Sequence, residues 1–413
     1  MSNSSGVRVL DDALWDEVVE ATRGATAPCF QCGVCTAVCP WGLVQEEPVS
    51  IRRLIRMAQL GVEGWGEAIW LCTTCGACEA LCPRGVAVSE VLLALRRVAW
   101  ERRQVPKGLP SLLWAIHWDG NPWDQPPSSR AAWAKGLDIP IFTGDQELLL
   151  YVGCTAAYDR RCQKVARALA RLLRAARVSF GILPDEPCCG EAVRMVGQEV
   201  YLAELVEAAT TRFREAGVRR LVALSPHCFD MFRTRYPVSA ELEVLHYTEL
   251  LAHLVDEGRL RFAREINANI SYHDPCYLGR RHGLYDPPRK LLSAIPGLRM
   301  VEMTSSREYA LCCGGGGGRM WRETEAGERF GDFRVRQAQE TGAALLLTAC
   351  PFCVLCLEDS AKVLGADQLK VLDLAELACQ ALDGTPVTSQ LSPLPLGKRG
   401  KGEGARAAAR GAR

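Results

Sequence analysis

The sequence PCFQCGVCTAVCP at residues 28–40 is followed by a near copy, LCTTCGACEALCP, at residues 71–83. In each stretch three cysteines are separated by two residues, and a fourth cysteine follows three residues later, just before a proline. The 413-residue chain contains 20 cysteines in all. Its first residues do not show a basic segment followed by an apolar core, so we expect no secretory signal and a cytoplasmic location. In a reducing compartment, this density of cysteines indicates metal or redox chemistry and not structural disulfides.

This spacing is that of the run that holds [4Fe–4S] clusters in bacterial two-cluster ferredoxins. Three thiolates on a tight loop bind three corners of one cubane cluster, and the fourth thiolate reaches the other cluster. Structural zinc is the alternative, but zinc sites usually pair two CxxC knuckles and need neither the third thiolate nor the Cys-Pro step. We therefore predict two cubane clusters with crossed ligands: Cys29, Cys32, Cys35 and Cys82 at the first, and Cys72, Cys75, Cys78 and Cys39 at the second.

The segment between the two stretches is long for a minimal ferredoxin. Apolar residues with the spacing of Ile51, Leu54 and Ile55 predict one helix. A second helix is expected after the second stretch, with Ser89 as its N-cap. Residues 27–103 are therefore expected to form a helical ferredoxin domain that resembles those of respiratory iron–sulfur subunits.

After residue 145, short apolar runs alternate with longer helical patterns, as they do in βαβ units. The predicted buried strands are residues 148–152, 220–224, 270–272 and 345–347, and the predicted helices include residues 163–176 and 334–340. This part is also an internal repeat, because its cysteines recur at offsets of 122 to 125 residues. The aligned cysteines are Cys154 with Cys276, Cys188 and Cys189 with Cys312 and Cys313, and Cys228 with Cys353. The predicted class is α+β overall, with a helical two-cluster ferredoxin domain followed by two repeated α/β domains.

The second repeat contains five cysteines in a pattern that suits a metal cluster. A vicinal pair can direct thiolates to two metals of one cluster, and a CxxC at a helix start adds a chelating pair that the helix N-terminus favours. Five thiolates exceed what a cubane cluster or a zinc ion needs. The candidate ligands are Cys276, Cys312, Cys313, Cys350 and Cys353.

This arrangement resembles the CCG (cysteine-rich) domain of the heterodisulfide reductase family. The resemblance extends over residues 27–380 and includes the paired ferredoxin stretches, the segment GNPW at residues 120–123 and both repeats. The domain order is similar to that of the D-type polypeptide of this family, or of a fusion of its C-type and B-type polypeptides. The resemblance implies a noncubane [4Fe–4S] cluster on the five cysteines, and it makes these cysteines the catalytic group at which a disulfide is cleaved.

The first repeat departs from this pattern. It keeps Cys154, Cys188, Cys189 and Cys228, but Ser225 stands where the first cysteine of the CxxC belongs. A serine hydroxyl is a much poorer ligand for iron than a thiolate. Three interpretations are open: a structural half without metal, a modified cluster held by four thiolates, and a zinc site. We therefore expect one catalytic noncubane cluster, in the second repeat.

Two other features lie close to the second cysteine group. The glycine run at residues 314–318 follows a cysteine pair and lacks the GxGxxG pattern, so we expect it to let backbone and substrate approach the cluster closely and not to bind a phosphate. His273 and His282 flank Cys276, and either is a candidate proton donor to a departing thiolate. The alternative is that local hydrogen bonds satisfy them.

The charge balance gives no indication of nucleic-acid binding, because 49 basic residues face 48 acidic ones. Only eight of the basic residues are lysines, and we interpret the excess of arginine as a genomic bias. The expected domains are an amphipathic helix (residues 1–26), the ferredoxin domain (27–103), a Trp- and Pro-rich linker (104–145), the degenerate first repeat (146–265), the complete second repeat (266–385) and a disordered basic tail (386–413).

Two functions are compatible with these features, and both make the chain part of a larger complex. In the first, electrons pass through two cubanes to the noncubane cluster, which reduces a small or protein-borne disulfide or oxidises thiols. In the second, the chain is the electron-transfer component of a dehydrogenase or respiratory complex, similar to those that oxidise glycolate, lactate or glycerol-3-phosphate. The expected partners are a flavoprotein, a hydrogenase or ferredoxin-type donor, or a membrane cytochrome b, which would hold the chain at the cytoplasmic side of a membrane. A zinc scaffold without redox function is a third possibility.

Overall fold

The computed structural model describes residues 11–45, 49–62, 64–237, 242–325 and 327–382. Within them, a helical N-terminal part precedes two parallel sheets, each surrounded by its own helices, which confirms the predicted fold class. The predicted disordered tail, residues 386–413, lies outside the described residues. Among the residues that the structure describes, no helix has the length and apolar character needed to cross a lipid bilayer.

The N-terminal part consists of helices whose apolar faces meet in one core. These helices are α1 (Asp12–Thr22), α2 (Val34–Ala37), α3 (Trp41–Val44), α4 (Ile51–Gln59), α5 (Ala68–Leu71), α6 (Ala77–Ala80), α7 (Val88–Glu101) and α8 (Leu109–Asp119). The predicted helix α4 is capped by Ser50, whose hydroxyl accepts a hydrogen bond from Arg53 N (3.3 Å). The prediction of Ser89 as the N-cap of α7 is wrong. Ala87 holds that position, and the Glu79 carboxylate accepts the hydrogen bond of the Ser89 N–H group.

The tryptophans of the predicted linker, residues 104–145, are only partly packed against the rest of the chain. Two 3-10 turns lie in this segment, at Pro127–Ser129 and Ala132–Ala134. Trp133 is buried, and Trp123 Nε1 donates a hydrogen bond to Thr155 Oγ1 (3.3 Å). Trp114 and Trp118 stack on each other on the surface of α8, with 59% and 72% of their areas exposed. The segment is therefore ordered by some of its tryptophans and not by all of them.

The first sheet is parallel with the strand order β2-β1-β3-β4. Its strands are β1 (Leu148–Tyr151), β2 (Phe180–Gly181), β3 (Arg220–Ala223) and β4 (Glu243–His246). Its helices are α9 (Gly153–Tyr158), α10 (Gln163–Ala175), α11 (Glu191–Met195), α12 (Glu199–Glu215), α13 (Pro226–Thr234) and α14 (Tyr247–Asp256). β1 and β3 are fully buried, as expected for central strands of a sheet covered on both faces.

The second sheet has the same topology, with the order β6-β5-β7-β8. Its strands are β5 (Ala268–Tyr272), β6 (Leu298–Met300), β7 (Leu345–Thr348) and β8 (Lys370–Asp373). Its helices are α15 (Gly279–His282), α16 (Asp286–Ser293), α17 (Phe330–Glu340), α18 (Pro351–Val363) and α19 (Leu374–Gln380), with 3-10 turns at Arg307–Tyr309 and Arg319–Trp321. The matching strand orders confirm that the sequence repeat is a repeat of structure.

The two sheets share one hydrophobic core, formed where α10 packs against α19 and α14 against α16. Leu150 of β1 and Leu347 of β7 both belong to this core. In each repeat the cysteine groups follow the carboxyl ends of the strands, which is where open parallel sheets place their ligand sites. The shared core therefore fixes the two cysteine groups relative to each other.

Candidate iron–sulfur sites

Four cysteines of the helical part line one small, largely apolar pocket. They are Cys39, Cys72, Cys75 and Cys78, the set that the crossed-ligand pattern predicts for the second cubane. The left-handed backbone of Gly76 (φ +72°) turns the chain between Cys75 and α6, so that the thiols converge. The pocket also has apolar walls, among them Trp41 and Phe330.

The chemistry of this donor set fits a metal cluster. Burial raises the pKa of Cys39 to about 12 and that of Cys72 to about 11. Such thiols keep their protons unless a metal cation takes the place of the protons. Four converging thiols in a small, largely apolar pocket are what a cubane held by four thiolates requires.

Three of the cysteines predicted for the first cubane lie in α2 or shortly before it. Burial raises the pKa of Cys35, and the neighbouring Cys29 and Cys32 thiolates add to the increase. Cys82 follows α6, which packs against α2, and its Sγ accepts a hydrogen bond from Val86 N (3.4 Å). The structure thus brings three of the four thiols together, and the place of Cys82 at this cluster stays a prediction.

The five candidate ligands of the second repeat form one continuous chain of thiols. Cys276 is hydrogen-bonded to Cys312, and Cys312 to Cys313. Cys353 Sγ donates to Cys313 Sγ (3.3 Å), and Cys350 is in turn hydrogen-bonded to Cys353. All five are buried. Five sulfur atoms in one contact group fit a polynuclear centre better than a zinc ion, which takes four ligands.

Cys350 differs from its neighbours in its readiness to ionise. Burial opposes the thiolate, but hydrogen bonds from Cys353 and His227, together with the charge of His227, lower the pKa of Cys350 to about 5. Cys350 also stands at the N-cap of α18, where the helix dipole favours a negative charge. This position is therefore prepared for a thiolate ligand.

The two histidines that flank Cys276 have different surroundings. His273 lies beside Cys313 and Cys353, with the three ligand atoms within 4.8 Å of one another. Its Nδ1 accepts a hydrogen bond from Arg334 Nε (3.1 Å), and burial together with the Arg334 charge holds its pKa well below the usual range. Its proton therefore resides on Nε2. His282 instead pairs with Asp230 (3.0 Å) of the first repeat.

The helical part and the second repeat meet at the cysteine sites themselves. Cys75 of the second cubane set lies beside Cys312 of the five-thiol group, and hydrogen bonding to Cys312, together with burial, raises the pKa of Cys75. Thr73 Oγ1 lies 3.6 Å from Cys312 Sγ. Thr74 Oγ1 and Tyr277 Oη are 2.6 Å apart in the same junction. The two thiol groups are thus neighbours across this junction.

The glycine run forms the other side of this junction. A Cβ atom at Gly316 would lie 2.4 Å from the Thr73 carbonyl oxygen, and one at Gly317 would lie 2.1 Å from that of Cys72. Real Cβ atoms do not approach carbonyl oxygens so closely, so only glycine allows this contact. The run therefore packs closely against the backbone of the ferredoxin stretch, whereas a close approach of backbone and substrate to the cluster stays a prediction.

Arg96 stabilises this junction by hydrogen bonds that it donates from the interior of the protein. Its guanidinium is fully buried in α7 and donates hydrogen bonds to four carbonyl groups. The acceptors are Ile69 O (2.8 Å from Nη2), Cys72 O (2.8 Å), Gly317 O (2.9 Å) and Met195 O. One side chain thus ties the helical part to both repeats. Sequence reasoning missed it, since no local pattern distinguishes Arg96 from other arginines in helices.

Replacing Arg96 by Lys should destabilise the protein, because an ammonium group cannot reproduce the planar fork of donors. Each buried carbonyl left without a donor costs about 1–3 kcal/mol. We expect the midpoint of urea unfolding to fall. Arg97→Lys, one position along α7 at a partly exposed site, should change stability by less than about 0.5 kcal/mol. Equal effects of the two substitutions would contradict the role given to Arg96.

The four cysteines of the first repeat also line one pocket. Cys189 and Cys228 are in contact (Sγ–Sγ 3.4 Å), and Cys154 is hydrogen-bonded to Cys188. Sequence reasoning also missed Arg130, whose Nη1 donates to Cys154 Sγ (3.2 Å). The buried Arg130 is paired with Glu186 (2.7 Å).

Ser225 also lines this pocket, but its hydroxyl caps the N-terminus of α13. The Ser225 Oγ accepts a hydrogen bond from His227 N (3.3 Å) and is the N-cap of the helix. Cys350, the equivalent residue of the second repeat, makes no such capping bond. The substitution therefore removes a thiol and gains a helix cap.

An open cleft reaches from the surface to Cys313 of the five-thiol group. Gly314 and the charged side chains of Arg319 and Arg322 also line it. Cys356 also lines the cleft and is half-buried. The cleft gives a reactant access to Cys313.

Three segments of the chain match two protein families. Residues 25–86 match the 4Fe-4S dicluster domain family. Residues 148–233 and 270–358 both match the cysteine-rich domain family called CCG. The first match covers all eight cysteines of the ferredoxin stretches. The other two cover the cysteine groups of both repeats, including the one in which Ser225 replaces a cysteine.

Several named proteins are similar to this chain. A Bacillus subtilis protein named "Probable iron-sulfur-binding oxidoreductase FadF" is 40% identical over 65% of this chain and 40% of its own length. The EtfAB:quinone oxidoreductase of Syntrophomonas wolfei is 37% identical over 64% of this chain and 39% of its own length. The chain therefore spans about two-fifths of these two relatives. The D-type polypeptide of the dihydromethanophenazine:CoB–CoM heterodisulfide reductase of Methanosarcina barkeri is 34% identical over 66% of this chain and 67% of its own length.

Proposed function

Because the chain belongs to the family of iron–sulfur oxidoreductases that includes the D-type polypeptide of heterodisulfide reductase, we propose that it carries electrons to a site that reduces disulfides. Two cubanes on the ferredoxin stretches would receive electrons from a partner. A noncubane [4Fe–4S] cluster on the five-thiol group would be the terminal centre. The same site could oxidise thiols in the reverse direction.

The observation that carries this proposal is the contact between Cys75 and Cys312. It joins the second cubane set to the five-thiol group without any intervening residue. Electrons that reach the cubane site would need no further carrier, because ligands of the two centres are neighbours in the structure. Thr73 and Tyr277 close the junction around this contact and exclude water from it.

The proposed reaction consumes two electrons and two protons for each disulfide, and yields two thiols. A bound cluster would supply iron that binds sulfur and accepts electrons one at a time. The protein would contribute the cleft that leads to Cys313, the neutral His273 beside it, and the exclusion of solvent from the buried thiols. The reduced partner supplies both electrons, and solvent supplies the protons.

The alternative function is electron transfer alone, in a flavoprotein-linked dehydrogenase or respiratory complex. The missing thiol at Ser225 and the similarity to the EtfAB:quinone oxidoreductase favour it. In either case we propose redox partners: a flavoprotein, a hydrogenase or ferredoxin-type donor, or a membrane cytochrome b. The last of these would hold the chain at the cytoplasmic side of a membrane. For Cys154, Cys188, Cys189 and Cys228, zinc, a modified cluster and a metal-free structural role all stay open.

The proposal is tested on the cluster-loaded protein with a viologen as the artificial electron donor. Iron and acid-labile sulfide should be present in amounts that account for three clusters, and zinc should be absent from the five-thiol group. Small and protein-borne disulfides should then be reduced, and should perturb the EPR spectrum of one centre only. If no disulfide or thiol perturbs any centre, the disulfide function is abandoned in favour of electron transfer.

A further inference from the structure

The first repeat places a histidine where the second repeat has an aromatic apolar residue. With the offset of 125 residues that relates Cys228 to Cys353, His227 corresponds to Phe352. The two side chains pack against each other, with ring centroids 4.5 Å apart. Equivalent residues that touch lie on the pseudo-twofold axis between the repeats. A side chain at this position can therefore reach from one cysteine group to the other.

The position of the His227 ring is strictly determined. Its Nδ1 is 2.9 Å from Glu191 Oε1, and both side chains are buried. The ring stacks on Tyr277 with centroids 4.0 Å apart and an interplanar angle of 25°. Because Glu191 occupies Nδ1, Nε2 is the nitrogen that is left for another partner. The packing of the ring on Phe352, two residues after Cys350, places this nitrogen near the Cys350 thiol, and interaction with His227 lowers the pKa of Cys350.

This contact runs from the first repeat to the second. His227 is adjacent to Cys228 of the first repeat, yet its ring serves a cysteine of the second. The first repeat has lost its own thiol at the position equivalent to Cys350, where it has Ser225. His227 of the degenerate repeat is therefore placed at the cysteine group of the complete repeat.

We propose that His227 is a positioning residue that the first repeat supplies to the metal centre of the second, where its Nε2–H group donates to Cys350 Sγ and raises the reduction potential of that centre. The inference rests on the proposed cluster at the five-thiol group. A hydrogen bond to a thiolate ligand stabilises the more negatively charged, reduced state. Glu191 holds the ring in place and keeps its proton directed at the sulfur.

The test compares variants in a background that avoids a buried, unpaired carboxylate. Glu191→Gln provides this background, and His227→Phe then copies the residue of the second repeat and removes the donor. His227→Gln is the rescue variant, since its amide nitrogen can occupy the place of Nε2. His253→Phe, at a surface site of α14, is the control for loss of a histidine. Redox titration by EPR follows the centre whose signal Cys312→Ala removes.

We expect Glu191→Gln/His227→Phe to shift the potential of that centre to more negative values relative to Glu191→Gln, with iron and sulfide contents unchanged. Glu191→Gln/His227→Gln should restore most of the shift, and His253→Phe should cause none. An unchanged potential in a fully loaded Phe variant would overturn the inference and leave the proposed function intact. Absence of any cluster at the five-thiol group of the unmodified protein would overturn both. Loss of iron in the Phe variant, with rescue by Gln failing to restore the potential, would show a structural role instead.

Discussion

Replacing Cys312 by Ala should lower the rate of disulfide reduction by at least about a hundredfold and leave the EPR signals of both cubanes in place. Removing a partner of a metal ligand already costs roughly 10–100-fold in metal affinity or activity, and loss of a ligand costs at least as much. Cys312 is the central member of the thiol chain, and Cys276 and Cys313 are its neighbours on either side. It is also the thiol of the five-thiol group that lies beside Cys75. Its removal thus affects both the terminal centre and the route to it.

The measurement is turnover with an artificial donor and a disulfide, together with EPR of the dithionite-reduced protein. Cys379→Ala is the matched control, because Cys379 lies in α19, outside the cysteine groups. It should retain full turnover and all signals. If Cys312→Ala kept turnover in the physiological complex, with only the signal of the terminal centre lost, then electrons would leave the chain earlier and the electron-transfer function would be correct.

Much of the fold could be predicted because the cysteine patterns and the apolar periods are local. The strand predicted at residues 220–224 is observed at Arg220–Ala223, and the helix predicted at residues 163–176 is Gln163–Ala175. The predicted second cubane set also comes together in one pocket. These features depend on spacing along the chain, which a single sequence contains.

The contacts between distant parts of the chain could not be predicted in this way. Arg96 and Gly317 are 221 residues apart, and no periodicity relates them. The excess of arginine, which we interpreted as a genomic bias, includes the buried Arg96, Arg130 and Arg334 at or beside the cysteine sites. Ser225 is a second example of a role that the sequence alone does not predict. The sequence shows that a thiol is missing, but only the structure shows that the hydroxyl caps a helix.

Replacing Gly317 by Ala should separate the helical part from the second repeat. The new methyl group would lie 2.1 Å from the Cys72 carbonyl oxygen and 2.8 Å from Thr73 Cα, and both belong to backbone that Arg96 holds in place. Overpacking of this kind costs about 1–3 kcal/mol. The positive φ of +62° adds about 1–2 kcal/mol for a residue with a Cβ atom.

The chain contains a control that separates these two costs. Gly365 has nearly the same φ, +60°, but a Cβ atom there would meet nothing within 4 Å. Gly365→Ala should therefore cost about 1–2 kcal/mol, from the backbone alone, and should leave electron transfer unchanged. The Gly317→Ala variant should unfold at a lower urea concentration than the Gly365→Ala variant, because only the first places a methyl group against the Cys72 carbonyl.

Gly317→Ala should also slow the passage of electrons from the cubanes to the terminal centre, since the clash forces Cys72 and its neighbour Cys75 away from Cys312. Rapid-freeze EPR after reduction of the cubanes measures this step directly. The cubane signals should appear at the normal rate, and the reduction of the terminal centre should lag behind them. If both glycine variants transferred electrons at the same rate, the contact between Cys75 and Cys312 would not be the route. Electrons would then have to cross from the helical part to the five-thiol group elsewhere along the junction.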